Sequence, residues 1–267
     1  MKNYTRILSI AGSDSGGGAG IQADIKSISA NGGFATTAIT AITAQNTRGV
    51  SSIFPIPVST LEAQLDAVLN DIGADAAKIG MLHSAEVIAT VTKALNKFKV
   101  KNIVVDPVMV ATSGDRLLQD EAIQTLMDNL LPKARLITPN IPEAELLLGK
   151  KINLTNLVKN AELLAHKFKV SVLLKGGHLT TDILKDVLYN YEDEKFYVYE
   201  NPKIKTKNTH GTGCTLSASI STYLGKGYQL NQAVEKSISY LQKAINEGAN
   251  YELGQGNAPV HHFHQWY

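Results

Sequence analysis

Short apolar runs alternate with helically spaced apolar positions along the whole chain. Residues 6–11 read as a buried strand, residues 12–20 as a loop, and residues 21–30 as a helix with Ile21, Ile25 and Ile28 on one face. Residues 34–44, rich in Thr, Ile and Ala, predict a strand toward Ala41; residues 61–69 predict a helix and 77–82 a strand. Val87, Val91, Leu95 and Phe98 step along the face of a further helix. An apolar strand within 102–110 ends at Asp106-Pro107, and a helix over 117–131 is stopped by Pro132. A short strand at 136–138 leads through Pro139-Asn140 into a helix, followed by a helix over 156–168 and a strand over 170–175. Residues 185–199 predict an antiparallel hairpin turning at Glu192-Asp193-Glu194. A helix over 215–224 follows, and Val234, Ile238, Leu241 and Ile245 share a face of the last one.

Repeated strand–helix–strand units predict an α/β fold with a mostly parallel sheet flanked by helices. Ligands of such sheets sit outside the carboxyl ends of the strands. Polar clusters fall at those ends here: Gly12-Ser13-Asp14, Gln45-Asn46, Gly80-Met81, Asp106, Thr138-Pro139-Asn140 and Lys175-Gly176-Gly177. They are expected to converge. With no internal repeat or long linker, residues 1–267 are expected to form a single domain.

Composition narrows the partner. The chain is 44% hydrophobic and 19% charged, with a net charge of +2 and no basic runs, which points away from nucleic acid and membrane surfaces and toward a small molecule. Lys2 and Arg6 precede only a brief apolar stretch before Ser13-Asp14-Ser15, so no signal peptide or spanning helix is expected and a cytoplasmic enzyme fits. The single cysteine, Cys214, is either filler or a reactive group, and its place in a glycine loop favours the second.

That loop, Thr209-His210-Gly211-Thr212-Gly213-Cys214, runs into a helix and aims free backbone N–H groups at one point, where an anion binds. The first glycine loop, residues 12–20, is not a phosphate-binding Gly-Lys-Ser/Thr loop. Residues 18–23 satisfy a permissive dinucleotide pattern, but no Asp or Glu occurs from Ile25 to Leu61 to hold a ribose. Its backbone is better suited to packing against a flat substrate. Asn140 and Glu143, three apart, fit both a capping box and a share in a Mg²⁺ site with Asp106. Gly16 to Gly18 and residues 111–116 are candidates for closing over a phosphate site. His210, His261, His262 and His264 lack the acidic or cysteine complement of a metal site and are expected to pack or cap.

Residues 10–24, 41–47, 78–82, 106–115, 138–140, 175–178 and 210–214 together resemble the hydroxymethylpyrimidine/phosphomethylpyrimidine kinases of thiamine biosynthesis. The likeness runs from Ile7 to His264. It implies a ribokinase-like three-layer sandwich that uses ATP and Mg²⁺ to phosphorylate 4-amino-5-hydroxymethyl-2-methylpyrimidine and then its monophosphate. The ring would lie near Gly12, Ala19, Thr43, Gln45, Met81 and Val108, with the Gln45 amide as the main polar reader. Asp24 would add a carboxylate acceptor, or else lie on the solvent side of its helix. Gly211, Thr212, Gly213 and Cys214 would stabilise the transferring phosphoryl group through backbone N–H groups. Lys175 would touch nucleotide phosphates, and Asp106, Asn140 and Glu143 would orient Mg²⁺. Sugar kinases of this fold resemble Gly-Ala-Gly-Asp where this chain has Gly-Thr-Gly-Cys, so a thiol stands where a carboxylate base is usual. A helix N-terminus lowers a thiol pKa and a nearby triphosphate raises it. The resemblance also admits pyridoxal kinase activity, and it alone implies a homodimer.

Overall fold

The computed structural model describes residues 2–109, 120–177 and 182–267. The start of the expected 117–131 helix, the last residue of the 102–110 segment, the 111–116 loop and His178 lie outside the described residues.

Among the described residues one nine-stranded sheet organises the chain: β1 (Arg6–Asp14), β2 (Phe34–Asn46), β3 (Gly49–Pro55), β4 (Ala76–Ile79), β5 (Ile103–Val105), β6 (Leu136–Ile137), β7 (Ser171–Leu174), β8 (Ile183–Asn190) and β9 (Lys195–Pro202). The strand order is β3-β2-β1-β4-β5-β6-β7-β8-β9. From β2 through β7 neighbouring strands are parallel, while β3, β8 and β9 each pair antiparallel with the strand before them. The parallel strands inside the sheet, β1, β4, β5, β6 and β7, are mainly apolar and buried on both faces, as strands covered by helices must be, whereas β2 is exposed at Phe34 and Ile42. Chain order reverses across β1, whose neighbours are β2 and β4, and a crevice opens at such a switch point.

Helices α1 (Gly20–Ala30), α7 (Thr212–Gly225) and α8 (Leu230–Gly248) pack together on one face. The core on that side joins Val104, Leu136, Leu173 and Leu188 of the sheet to Leu216, Ile220 and Leu224 of α7 and Val234 and Ile238 of α8. The other face carries α2 (Val58–Asp71), α3 (Ala85–Lys97), α4 (Asp120–Thr125), α5 (Ile141–Leu148) and α6 (Leu157–Phe168) over the larger core.

Several elements differ from the sequence reading for identifiable reasons. The expected 12–20 loop begins later, because β1 continues to Asp14 through a register shift between Ala11 and Ser13. Edge strand β3 was not anticipated: five of its seven residues are exposed, so it lacks the alternation of a half-buried strand. After α4 the chain widens into a π-helical turn (Leu126–Leu130) and tightens into a 3₁₀ turn (Leu131–Lys133) that holds Pro132, which has no N–H with which to continue a helix. The expected hairpin forms as β8 and β9.

One buried charge pair ties the layers together. Lys78 Nζ on β4 lies 2.9 Å from Asp24 Oδ2 on α1, with both side chains wholly inaccessible, and Ser9 Oγ donates to the same oxygen at 2.6 Å. Lys78→Met would strand a buried carboxylate and should cost about 3–5 kcal/mol, read from urea unfolding. A loss below about 1 kcal/mol would mean that Asp24 finds another partner or is protonated.

Candidate active site

At the switch point a cavity of about 770 Å³ gathers the carboxyl ends of the parallel strands and the start of α7. Gly12, Ala19, Thr43, Gln45, Met81 and Val108 line it, as do Asp106, Asn140, Glu143, Lys175, Gly211, Thr212, Gly213 and Cys214. Asp24 does not. Neither expectation for it holds, since its carboxylate lies under the cavity wall, paired with Lys78, rather than in the cavity or on the solvent side. Its partner Lys78 lines the cavity instead.

The anion loop owes its shape to Gly211, the N-cap of α7, with φ of 78°. A β-carbon there would stand 1.8 Å from the Gly18 carbonyl oxygen, so only glycine fits. The helix starts at Thr212, three residues earlier than expected, which puts Gly213 and Cys214 in its first turn. Among the described residues neither of their N–H groups has an acceptor. Two adjacent unmatched donors at the positive end of a fourteen-residue helix have the chemistry to accept an anion.

Facing the loop is Asp106, which follows β5. Its Oδ1 accepts from Lys175 Nζ at 2.8 Å and from Thr138 Oγ1 at 3.0 Å. Its Oδ2 lies 3.1 Å from where a β-carbon on Gly213 would stand. Burial opposes ionisation of Asp106, but the Lys175 and Lys78 charges outweigh it and hold the carboxyl below its usual range. Glu143 behaves oppositely: burial, reinforced by the Asp106 charge and only partly offset by Lys175, pushes it up to about 7. The capping box is present in full, Asn140 Oδ1 accepting from Glu143 N and Glu143 Oε2 from Asn140 N, each at 2.9 Å. Capping and lining the cavity are thus compatible for this pair.

The donor chemistry suits a divalent cation. Asp106 Oδ2 has no hydrogen-bond partner among the described residues, and burial, with the Asp106 charge added, opposes ionisation of Glu143. Mg²⁺ takes one or two carboxylates plus phosphate and water oxygens, so two carboxylates at a phosphoryl site fit. Among the described residues no cluster of three or more His, Cys, Asp or Glu could hold a metal.

Because Glu143 ionises at about 7 when folded and near 4.5 otherwise, its contribution to stability is complete below pH 4.5 and lost as pH rises to about 7. Glu143→Gln, which keeps the cap, should therefore gain in melting temperature over the unmodified protein across that interval, with a constant gap above it. A gap independent of pH would show that Glu143 ionises normally.

Cys214 is half-buried, and burial pushes its thiol up, against the opposing charge of Lys78 and the Gly20 N–H. Burial, with the Asp24 and Asp106 charges behind it, outweighs those two even before a triphosphate is considered.

Sequence reasoning placed Asp14 at a converging strand end without giving it a role, and missed Asp186 and the pair Leu241 and Ile245 as wall residues. Asp14 Oδ1 accepts from Gly16 N at 2.7 Å, and its Oδ2 from Gly18 N at 3.0 Å, from Ala19 N at 2.8 Å and from His210 Nε2 at 2.9 Å. Burial raises the Asp14 pKa, but the His210 bond and the backbone N–H groups outweigh it and keep the carboxylate charged. Asp186, which accepts from Gly176 N at 2.8 Å and whose carboxyl burial pushes up, adds a further acid to the wall. Leu241 and Ile245 of α8 add apolar wall to the cavity. His262, by contrast, packs as expected: its Nε2 lies 3.0 Å from Thr215 Oγ1, and burial foremost brings its pKa down to about 3.

Residues 14–261 match the family model described as phosphomethylpyrimidine kinase. The chain is 47% identical to the hydroxymethylpyrimidine/phosphomethylpyrimidine kinase of Rhizobium meliloti, over 97% of each chain. It superposes on the crystal structure of phosphomethylpyrimidine kinase from Clostridium difficile with a TM-score of 0.80 and 43% identity, covering 90% of this chain and 99% of that one. A pyridoxal kinase from Staphylococcus aureus, in complex with AMP-PCP and pyridoxal, superposes with a TM-score of 0.90 and 32% identity over 99% of this chain and 96% of that one. The fold is ribokinase-like.

Proposed function

The chain belongs to the phosphomethylpyrimidine kinase family and is a phosphotransferase, and from that premise we propose that it uses ATP to phosphorylate 4-amino-5-hydroxymethyl-2-methylpyrimidine and then its monophosphate, giving the diphosphate for thiamine biosynthesis. The observation that carries this reading is a single cavity that joins the Gln45 amide to the free N–H groups of Gly213 and Cys214.

In this reading the ring lies between Met81 and Val108, its polar edge on Gln45 and Thr43 and one face on the backbone of Gly12 and Ala19. The carbinol oxygen attacks the γ-phosphorus of ATP, the bond to the β,γ-bridging oxygen breaks, and ADP leaves. The N–H groups of Gly211, Gly213 and Cys214 and the Lys175 ammonium stabilise the charge on the transferring group, while the Thr212 N–H is taken by Thr209 O at 3.3 Å. Asp106, Asn140 and Glu143 would hold Mg²⁺, directly or through water, and the ion would neutralise phosphate charge. Thr212 lies beside the nucleotide phosphates.

The hydroxyl proton passes to the Cys214 sulfur, which accepts it only as thiolate. With burial raising the thiol, kcat should climb with pH through the neutral range. Cys214→Ser should lose about 100-fold in kcat and flatten that climb. Near-native turnover at every pH would leave the backbone as the catalyst.

A second reading is pyridoxal kinase activity, favoured by the likeness to the pyridoxal-bound kinase. Side-by-side ATP turnover on the pyrimidine alcohol and on pyridoxal separates the two, and a large preference for pyridoxal would reverse our ranking. A cytoplasmic homodimer completes the proposal, with sedimentation equilibrium as its check. No helix among the described residues is long and apolar enough to cross a membrane.

A further inference from the structure

His210 stands between the two ends of the cavity. Its backbone opens the anion loop, pinned by a hydrogen bond from its N–H to Ala258 O at 3.1 Å. Its ring fills the space that a side chain at Gly18 would take, 2.4 Å from that glycine's would-be β-carbon. Its Nε2 lies 2.9 Å from Asp14 Oδ2 and 3.4 Å from Gln45 Nε2.

Asp14 is a charged acceptor that cannot donate, so His210 Nε2 carries the hydrogen of that bond. The nitrogen is then only a donor toward Gln45. An amide oriented with Nε2 toward it sets donor against donor; turned over, Oε1 faces that one hydrogen at 3.4 Å as a second, weaker acceptor beside Asp14. The other end of the amide agrees. The Thr43 hydroxyl lies 2.9 Å from Ser13 O and 3.1 Å from the Gln45 amide. A carbonyl can only accept, so Thr43 gives its one hydrogen to Ser13, and its own oxygen accepts from Gln45 Nε2. With the amide turned, no donor in the chain Asp14–His210–Gln45–Thr43–Ser13 faces another donor.

We propose that His210, held by Asp14, fixes which way round the Gln45 amide presents its donor and acceptor to the substrate ring, and so is a specificity-determining positioning residue. An aminopyrimidine edge offers a donor and an acceptor in a fixed order, and a reversed amide would meet it with both mismatched. The specificity consequence rests on the pyrimidine reading of Gln45 proposed above; the amide orientation does not.

Two measurements test this separately. In the free protein, NOEs from the Gln45 side-chain amide protons should reach the Thr43 methyl, and NOEs to the His210 ring would overturn the orientation. In turnover, the kcat/KM ratio between 4-amino-5-hydroxymethyl-2-methylpyrimidine and the analogue lacking the 4-amino group should fall about tenfold in His210→Leu, with KM for ATP within about twofold. His210→Gln, which keeps a donor, should retain most of the ratio. An unchanged ratio in a folded His210→Leu protein would overturn the specificity role. A protein that phosphorylates pyridoxal and neither pyrimidine would refute the substrate reading and the specificity role with it, while the NOE result would still decide the orientation.

Discussion

Replacing Asp106 with asparagine should lower kcat by about 10²–10³-fold at saturating ATP and Mg²⁺. The carboxylate is nearly inaccessible and takes two hydrogen bonds on one oxygen, from Lys175 and Thr138, which turns the other toward Gly213. Asparagine keeps the size but removes the charge. Lys175 then loses the anion that positions its ammonium, and the metal site proposed at this wall loses a ligand. Removing that charge also leaves Glu143 with less repulsion, since Asp106 contributes to its raised pKa, so the variant's Glu143 should ionise at lower pH. Steady-state kinetics over a range of Mg²⁺ concentration gives the outcome directly. Retention of more than a tenth of the native kcat would mean that Asp106 serves only to pair Lys175.

Gly211→Ala should lose a similar factor, about 10²–10³-fold in kcat, by a different route. At φ of 78° an alanine pays for the left-handed conformation, and its β-carbon meets the Gly18 carbonyl oxygen at 1.8 Å. Either the anion loop or the 16–20 loop has to move, and either movement shifts the Gly213 and Cys214 N–H groups relative to the substrate wall. The core is remote from this contact, so circular dichroism and the cooperativity of melting should stay native while turnover falls. Native kcat in this variant would show that phosphoryl transfer does not depend on those N–H groups.

What the sequence made legible was mainly what is local. Apolar runs of period two and of helical period located the parallel strands and most helices, the Asn140–Glu143 spacing announced a capping box, and Glu192 to Glu194 marked a hairpin turn. Strand ends placed nearly every candidate residue at one cavity because a parallel sheet brings its carboxyl ends to the same edge. The misses are contacts between distant residues. Lys78 and Asp24 are separated by 54 positions, and nothing near Asp24 in sequence distinguishes a carboxylate under the cavity wall from one in the cavity. Asp14 and His210 are 196 apart, and each borders a glycine loop whose sequence carries no sign of the other. The early start of α7 is not legible locally because glycines at positions 211 and 213 are poor helix formers, whereas here the first is the left-handed cap and the second lies in the first turn.

The most direct test of a cavity in which the γ-phosphate of ATP meets the ring's hydroxymethyl group is a phosphorus NMR time course with 4-amino-5-hydroxymethyl-2-methylpyrimidine, ATP and Mg²⁺. The expected result is a monophosphate resonance that rises and then gives way to the diphosphate as ADP accumulates. ADP formed with no phosphorylated pyrimidine, or no ADP at all while both ligands bind, would contradict it.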